Sequence, residues 1–305
     1  TLDRSSAASD VYKRQIIVYI VAPLVPAMLA LGTFLYMRGG EGTRWDLERM
    51  SLGVFRMSLV REAGLCARRG NDPADILFYR DGITTTVSVE RFFNHLALKN
   101  NGKVDASNSG DMPTQIMVGA YPLMLHPNGP RNLDVAMVGF GSGMTVGTVL
   151  KFPVRSLDVM ELERAIPEAA RFFQEDNNLR FPLPRYPFVQ MPRLNVIDDD
   201  ARNFLAATSN TYDVIISEPS NPWITGVSDL FTADHYRIAK RRLREGGLYL
   251  QWVQVYELSP EHIKSAYRTF VDAFPHVIVF AADDYSTDTI LILSLIHISE
   301  PTRPY

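Results

Sequence analysis

Short apolar runs alternate with segments of helical period along the second half of the chain, from Asp134 onward. The pattern predicts strands over 134–138, 156–160, 194–197, 212–217, 247–253, 276–280 and 287–294, and helices around 162–174, 200–207, 228–244 and 259–273. Such alternation is typical of a mostly parallel sheet that helices cover on both faces. We therefore expect a doubly wound α/β domain over residues 128–294.

The pattern is different before residue 130. Strand-like runs lie at 76–79, 84–89 and 95–98, and the turn pairs Asp81-Gly82 and Asn101-Gly102 separate them. Turn pairs of this kind between strands predict β-hairpins. The segment 113–125 then predicts a helix with Asp111 near its start. Residues 75–127 are therefore expected to form a small antiparallel β domain plus a helix.

Residues 16–37 contain no charged side chain. A run of this length suffices to cross a bilayer, and it is too long for a signal peptide or an ordinary buried helix. The connector that follows, 38–74, is rich in arginine, and the positive-inside rule places that side in the cytoplasm. We therefore expect one transmembrane helix, a membrane anchor and a cytoplasmic catalytic domain.

Both ends of the chain look foreign to the protein. Residues 1–15 and 295–305 resemble translated sequencing-adapter reads, and a natural flexible tail is the alternative at each end. We exclude both segments from the fold prediction. The native protein is accordingly expected to extend upstream of residue 16 and beyond residue 294.

Composition excludes several classes of function. Charged residues make up 21% of the 305 residues and the net charge is −3, which gives little support to nucleic-acid binding. Cys66 is the only cysteine, so no disulfide framework exists and a reducing compartment fits. The six histidines are scattered without ligand spacing, and we therefore expect no metal.

A glycine loop follows the apolar run that begins at Asp134. Gly139, Gly141 and Gly143 alternate with other residues, and a helix-compatible segment begins at Met144. Glycine lets the backbone approach a ligand, and the helix N-terminus offers free N–H groups to it. An ordinary tight turn is the alternative. Met144 stands where a dinucleotide-binding loop has its third glycine, so the spacing favours an S-adenosylmethionine-type ligand over NAD.

Acidic residues follow the next three predicted strands, at the sheet edge where ligands bind in such folds. Glu161 ends the second strand and can accept hydrogen bonds from both ribose hydroxyls. Asp200 follows the third strand, where it can cap a helix or accept a hydrogen bond from an adenine amine. Glu218 follows the fourth strand on a proline-rich loop and is expected to face the reacting centre; a solvated turn glutamate is the alternative.

These motifs together resemble the spermidine synthase family. Asp111 and Gln115, the glycine loop, Glu161, Asp200 and the stretch Tyr212–Pro222 occur in the order of that family, over roughly residues 75–294. The resemblance implies a Rossmann-like, methyltransferase-type fold. With the preceding apolar run, the chain is similar to fused bacterial proteins that carry a membrane part ahead of a spermidine synthase domain.

The resemblance implies that an aminopropyl group moves, without a metal, from decarboxylated S-adenosylmethionine to a polyamine such as putrescine. It implies that Gly139, Gly141, Ser142 and Gly143 line the cosubstrate, with Glu161 on the ribose and Asp200 on the adenine amine. Gln115 would lie between the cosubstrate and the acceptor. Glu218 would be the catalytic base, with Asp111 and Asn221 binding the acceptor; a homodimer is also expected.

Four residues depart from the family pattern. Glu218 replaces an aspartate, and Thr114 replaces a tyrosine beside Gln115. Ser142 and Asn221 replace aspartates that contact the cosubstrate ammonium and the diamine. Fewer negative charges would therefore meet two cationic substrates. The departures leave two alternatives open: a methyltransferase-like enzyme that uses intact S-adenosylmethionine, and a non-catalytic domain that senses a polyamine or nucleoside for a membrane transporter.

Overall fold

The computed structural model describes residues 22–39, 50–51, 75–181, 191–224, 226–256, 258–281 and 288–295. The chain divides into two compact units, Thr1–Met50 and Ser51–Tyr305. Residues 1–15, most of 295–305 and most of the connector 38–74 lie outside the described residues. The predicted foreign ends and the predicted domain boundaries therefore remain predictions.

The first unit contains one long described helix, α1 (Ala22–Gly39). No helix among the described residues is both long enough and apolar enough to cross a membrane. The predicted membrane-anchored location was therefore wrong, and the transmembrane helix predicted over 16–37 and the membrane partner have no support among the described residues. The physical reason is that α1 spans 18 residues, about 27 Å, and contains Pro26 and Arg38, which lower its hydropathy. Residues 16–21 lie outside the described part.

The second unit begins with a four-stranded antiparallel sheet. Its strands follow the chain in order: β1 (Asp75–Asp81), β2 (Thr86–Phe92), β3 (His95–Asn100) and β4 (Lys103–Ser107). Asn101 and Gly102 both have positive φ, which suits the tight hairpin between β3 and β4. The predicted hairpins are confirmed. The prediction lacked β4 because five residues offer too little alternation.

Helix α2 (Met112–Met124) connects this sheet to a seven-stranded one. The large sheet contains β5 (Asp134–Val138), β6 (Ser156–Glu161), β7 (Leu194–Asp198), β8 (Tyr212–Ser217), β9 (Leu243–Gln254), β10 (His276–Ala281) and β11 (Asp288–Ser294). The helices between them are α3 (Met144–Lys151), α4 (Ala165–Ala170), α5 (Gln174–Asn177), α6 (Ala201–Ala207), α7 (Ala233–Arg242) and α8 (Pro260–Ala273). Single 3₁₀ turns lie at Arg171–Phe173 and Val227–Phe231.

The large sheet has the strand order β7-β6-β5-β8-β9-β11-β10. The strands from β7 to β9 are parallel, whereas β11 is antiparallel to β9 and to β10. The α/β prediction with a preceding antiparallel sheet is thus confirmed. The strand order reverses beside β5, and ligands in such sheets bind at that point, outside the carboxyl ends of the strands.

Each face of the large sheet packs against its own set of helices. Leu248, Leu250 and Ile290 pack with Val118 of α2, and we call this side the α2 face. Tyr249 and its neighbours pack on the opposite side, against α7 and α8. Side chains alternate between faces along a strand, so the residue number decides which face a side chain occupies. The buried cluster of the α2 face also contains residues of β2 and β3, so the small sheet shares this core.

Candidate active site

The glycine loop continues directly from β5. Gly139, Gly141 and Gly143 all have positive φ, a backbone conformation that side chains with a Cβ disfavour. A Cβ on Gly139 would lie 3.2 Å from the backbone oxygen of Glu218, whereas one on Gly141 would meet no described atom within 4 Å. The first glycine therefore lets the loop lie against the end of β8. The second leaves open space in front of the N-terminus of α3, where a ligand can approach the backbone.

Glu161, at the end of β6, lies beside this loop. Its carboxylate accepts hydrogen bonds from the backbone N–H groups of Phe140 and Glu163, each at 2.9 Å. Burial nevertheless raises the pKa of Glu161 to about 7, and the nearby Glu163 charge adds to the rise. The backbone contacts fix the orientation of the carboxylate, and each oxygen keeps a lone pair for a ribose hydroxyl.

Asp200 lies at the same edge, two residues beyond the end of β7. Its Oδ1 accepts a hydrogen bond from the backbone N–H of Asn203 at 2.8 Å, so it caps α6. The capping interpretation is therefore correct. A carboxylate has further acceptor capacity, and the adenine-binding role of Asp200 stays a prediction.

Gln115 of α2 connects the small sheet to the glycine loop. Its amide nitrogen donates to the carbonyl of Ser107, at 2.9 Å, and to Asp111 Oδ2, at 3.2 Å. Its amide oxygen accepts a 2.6 Å hydrogen bond from the Ser142 hydroxyl. The structure thus brings three predicted site residues, Asp111, Gln115 and Ser142, into one chain of contacts. Ser142 is buried and serves to hold the loop.

Glu218 follows β8, next to the point where the strand order reverses. Residues with even numbers in β8 face α2, so Glu218 is placed on the α2 face, near Thr145 of α3, whose hydroxyl donates to the Gln115 carbonyl at 3.0 Å. Burial raises the pKa of Glu218 to about 8; the Thr145 hydroxyl opposes the rise, and the charges of Asp111 and Asp288 add to it. Glu218 is therefore a carboxyl group that a nearby cation would readily ionise.

Asp288 is a site residue that the sequence analysis missed. Thr114 of α2 donates to its Oδ2 at 3.2 Å, and burial raises its pKa. The predicted site residues follow the ends of strands. Asp288 instead begins β11, and an antiparallel strand starts at the edge where its parallel neighbours end. The antiparallel direction of the last strand is the signal that would have found it.

Asn221 lies deeper than a substrate-binding role would suggest. It is fully buried, and its amide nitrogen donates to the Tyr256 hydroxyl at 3.4 Å. Tyr256 in turn packs edge-on against Trp223, with ring centroids 6.5 Å apart. Asn221 thus stabilises the loop after β8, and its contact with an acceptor remains a prediction.

The acids at this edge do not form a metal-binding group. Across the residues that the structure describes, no three His, Cys, Asp or Glu side chains are arranged to hold a metal ion. Asp111, Glu218 and Asp288 lie close enough for their charges to interact. Such an arrangement suits ammonium groups, which carry several hydrogen-bond donors.

The strand order, the glycine loop and the acids beside it define an α/β protein with a mixed seven-stranded sheet and a candidate ligand site at its carboxyl edge. The family model described as "Spermine/spermidine synthase domain" matches residues 112–293. The chain belongs to this family, which confirms the resemblance predicted from its motifs. The fused membrane part that accompanied that prediction has no support among the described residues.

Named relatives agree with this assignment. The chain is 28% identical over 199 residues to a polyamine aminopropyltransferase of Bacillus subtilis (strain 168), covering 65% of this chain and 67% of the relative. It is 27% identical over 187 residues to a spermidine synthase of Dictyostelium discoideum, covering 61% of each. The chain therefore spans about three-fifths to two-thirds of the curated relatives it matches.

Solved structures share the fold. The spermidine synthase from Thermotoga maritima has a TM-score of 0.61 at 20% identity, with 73% of each chain covered. A spermidine synthase in complex with the transition state analogue AdoDATO has a TM-score of 0.60, at the same identity and coverage.

Proposed function

We propose that this chain transfers an aminopropyl group from decarboxylated S-adenosylmethionine to a polyamine acceptor such as putrescine. One observation carries the proposal above all. The backbone of Glu218 lies against the glycine loop of a spermine/spermidine synthase domain: a Cβ on Gly139 would lie 3.2 Å from the Glu218 carbonyl oxygen. A candidate base next to a nucleotide-binding loop is what this displacement requires.

The cosubstrate would lie along the carboxyl edge of β5 and β6. The open space at Gly141 accommodates its adenosyl part, the Glu161 carboxylate faces the ribose, and Asp200 lies farther along the same edge, toward the adenine. The sulfonium would then lie between the glycine loop and Glu218. Its positive charge would lower the pKa of Glu218 and leave a carboxylate at neutral pH.

The reaction is a direct displacement. The acceptor nitrogen attacks the aminopropyl carbon bonded to sulfur, a C–N bond forms, and the C–S bond breaks with its electron pair going to sulfur. The sulfonium becomes the neutral thioether methylthioadenosine. The attacking nitrogen loses a proton, and Glu218 accepts it. Positioning the two reactants and removing this proton are the contributions expected from the protein.

The acceptor would enter from the side of α2. Asp111 is fixed there by hydrogen bonds from Ser107 and Gln115, and its charge contributes to the raised pKa of Glu218. An ammonium between Asp111 and Glu218 would relieve the repulsion of the two carboxylates. The expected homodimer concerns a second chain and stays a prediction.

Calorimetry with two cosubstrates tests the nature of the ligand. Intact S-adenosylmethionine carries a carboxylate that would face Asp111 and Glu218, and like charges repel. We expect the decarboxylated form to bind at least about tenfold more tightly, which corresponds to about 1.4 kcal/mol. Methylthioadenosine lacks the sulfonium and the ammonium of the decarboxylated form, so it is the control for binding of the adenosine half. Tighter binding of the intact form would contradict the proposal and favour a methyltransferase-like enzyme.

A further inference from the structure

Three strands bring polar side chains to the same corner of the α2 face. The face is occupied by Ile216 in β8, Leu250 in β9 and Ile290 in β11. Since the side-chain period of a strand is two, Glu218, Gln254 and Asp288 continue these rows at the edge. The hydrogen bond from Thr114 of α2 to Asp288 agrees with this placement.

Gln254 is the unusual member of this corner. It pairs directly with Asp288 across the β9–β11 ladder, and side chains of directly paired residues lie about 5 Å apart on one face. Gln254 is fully buried, and among the described residues neither its amide oxygen nor its amide nitrogen has a hydrogen-bond partner. A buried amide without partners costs about 1–3 kcal/mol, so a polar ligand at this position would satisfy it.

From these contacts we infer that Asp288, with Gln254 beside it, binds the ammonium at the far end of the acceptor and thereby determines specificity for a diamine. The inference rests on the proposed aminopropyl transfer. It supplies a carboxylate to a site in which Ser142 and Asn221 carry none. Asp288 and Gln254 would accept the hydrogen bonds that this ammonium donates.

Strand spacing separates the two ends of the acceptor. Glu218 follows β8, and Asp288 lies two strands away on β11 and two residues farther along by the strand register, which together correspond to about 12 Å. A four-carbon diamine spans roughly 6 Å between its nitrogens, and a hydrogen bond of about 2.8 Å at each end completes the distance. The glycine loop on β5 lies about 14 Å from β11. Asp288 therefore suits the acceptor better than the cosubstrate.

Local charge favours a cation here. Burial and the Asp111 charge both raise the pKa of Asp288. A cation bound between Asp288 and Asp111 would offset both effects. The Lys103 charge opposes this rise, and Lys103 is itself paired with Asp105. The Lys103–Asp105 pair is neutral as a unit, and an ammonium bound beside Asp288 would favour the ionised form of this carboxyl group.

Acceptors with and without the second ammonium test this inference. We would measure methylthioadenosine release with putrescine and with n-butylamine, which has the same chain and no distal charge. Asp288→Asn should raise the KM for putrescine roughly 10- to 100-fold, the range of a charged hydrogen bond. Because n-butylamine has no distal ammonium, its KM should rise by a much smaller factor, so the preference for putrescine over n-butylamine should fall. Gln254→Leu should raise the putrescine KM by a smaller factor, and Asp288→Glu should restore part of the loss.

Asp272→Asn is the matched control, because it removes one carboxylate from an exposed position on α8. It should leave both acceptors unchanged. Equal losses with both amines in Asp288→Asn, or an unchanged preference for putrescine, would overturn the inference and leave the proposed function standing. A wild-type protein that turns over neither amine would instead overturn the proposed function, and the inference with it.

Discussion

At the scale of single residues, the structure separates the acids that hold the fold from those that face the site. Glu163 receives hydrogen bonds from Thr84 and the backbone of Ala165, and these contacts lower its pKa. Glu161 and Glu218 have pKa values raised by burial, to about 7 and about 8. Raised carboxyl pKa values in a cleft are typical of functional positions, where stability is given up for chemistry.

The raised pKa of Glu218 predicts a pH-dependent change in stability. Between its ordinary value of 4.5 and the folded value of about 8, the folded state binds a proton that the unfolded state has lost. Stability therefore falls as pH rises through this window. Glu218→Gln removes this penalty, so its advantage in Tm over the wild type should grow from pH 5 to pH 8, by about 2–4 °C for each kcal/mol.

Thermal unfolding of both proteins at the two pH values measures this difference. Glu161 is present in both proteins, so its own titration cancels. A Tm difference that stays constant from pH 5 to pH 8 would show that Glu218 is ionised in the free protein throughout this range.

At the scale of elements, much of the architecture was predictable and the contacts between elements were not. Alternating apolar residues located the strands of the large sheet, and apolar residues of helical period located most of the helices between them. The glycine spacing and the acids Glu161 and Glu218 were predictable because they follow strands of one sheet edge. Asp288 and Gln254 were not, because their position depends on the direction of β11. The role of Ser142 depends on its long-range contact with Gln115, which no local pattern records.

The packing of α3 against α5 predicts a strict requirement at Gly147. A Cβ there would lie 1.8 Å from the carbonyl oxygen of Asn177, so the two helices would have to separate. The Asn177 side chain also donates to the Ser142 carbonyl at 2.8 Å, so the glycine loop would move as well. Gly147→Ala should cost at least about 1–3 kcal/mol of stability and weaken cosubstrate binding.

Denaturant unfolding and calorimetry with the decarboxylated cosubstrate measure both effects. Gly110→Ala is the matched control, because a Cβ there meets no described atom within 4 Å. It should change stability by less than about 0.5 kcal/mol. Equal stability of the two variants would mean that α5 moves aside freely and does not support the loop.

At the scale of the whole molecule, the large sheet was predictable from the sequence and the N-terminal segment was not. Absence of charge over 16–37 was a poor criterion, because a spanning helix also needs sustained apolar character, and Pro26 lowers the hydropathy of the described part of this segment, after which α1 ends with Arg38 and Gly39. The family assignment depended on ordered motifs spread over both sheets. Those motifs lie together in the structure because the strand order brings distant segments to one edge.

The central claim is that this edge transfers an aminopropyl group. The most direct measurement incubates the purified chain with decarboxylated S-adenosylmethionine and putrescine and quantifies spermidine and methylthioadenosine by mass spectrometry. We predict both products in equal amounts. Glu218→Gln, which keeps the shape and loses the base, should lower kcat by about 10²- to 10⁴-fold. No spermidine from the wild-type chain at high enzyme concentration, or equal rates for the two proteins, would contradict the account.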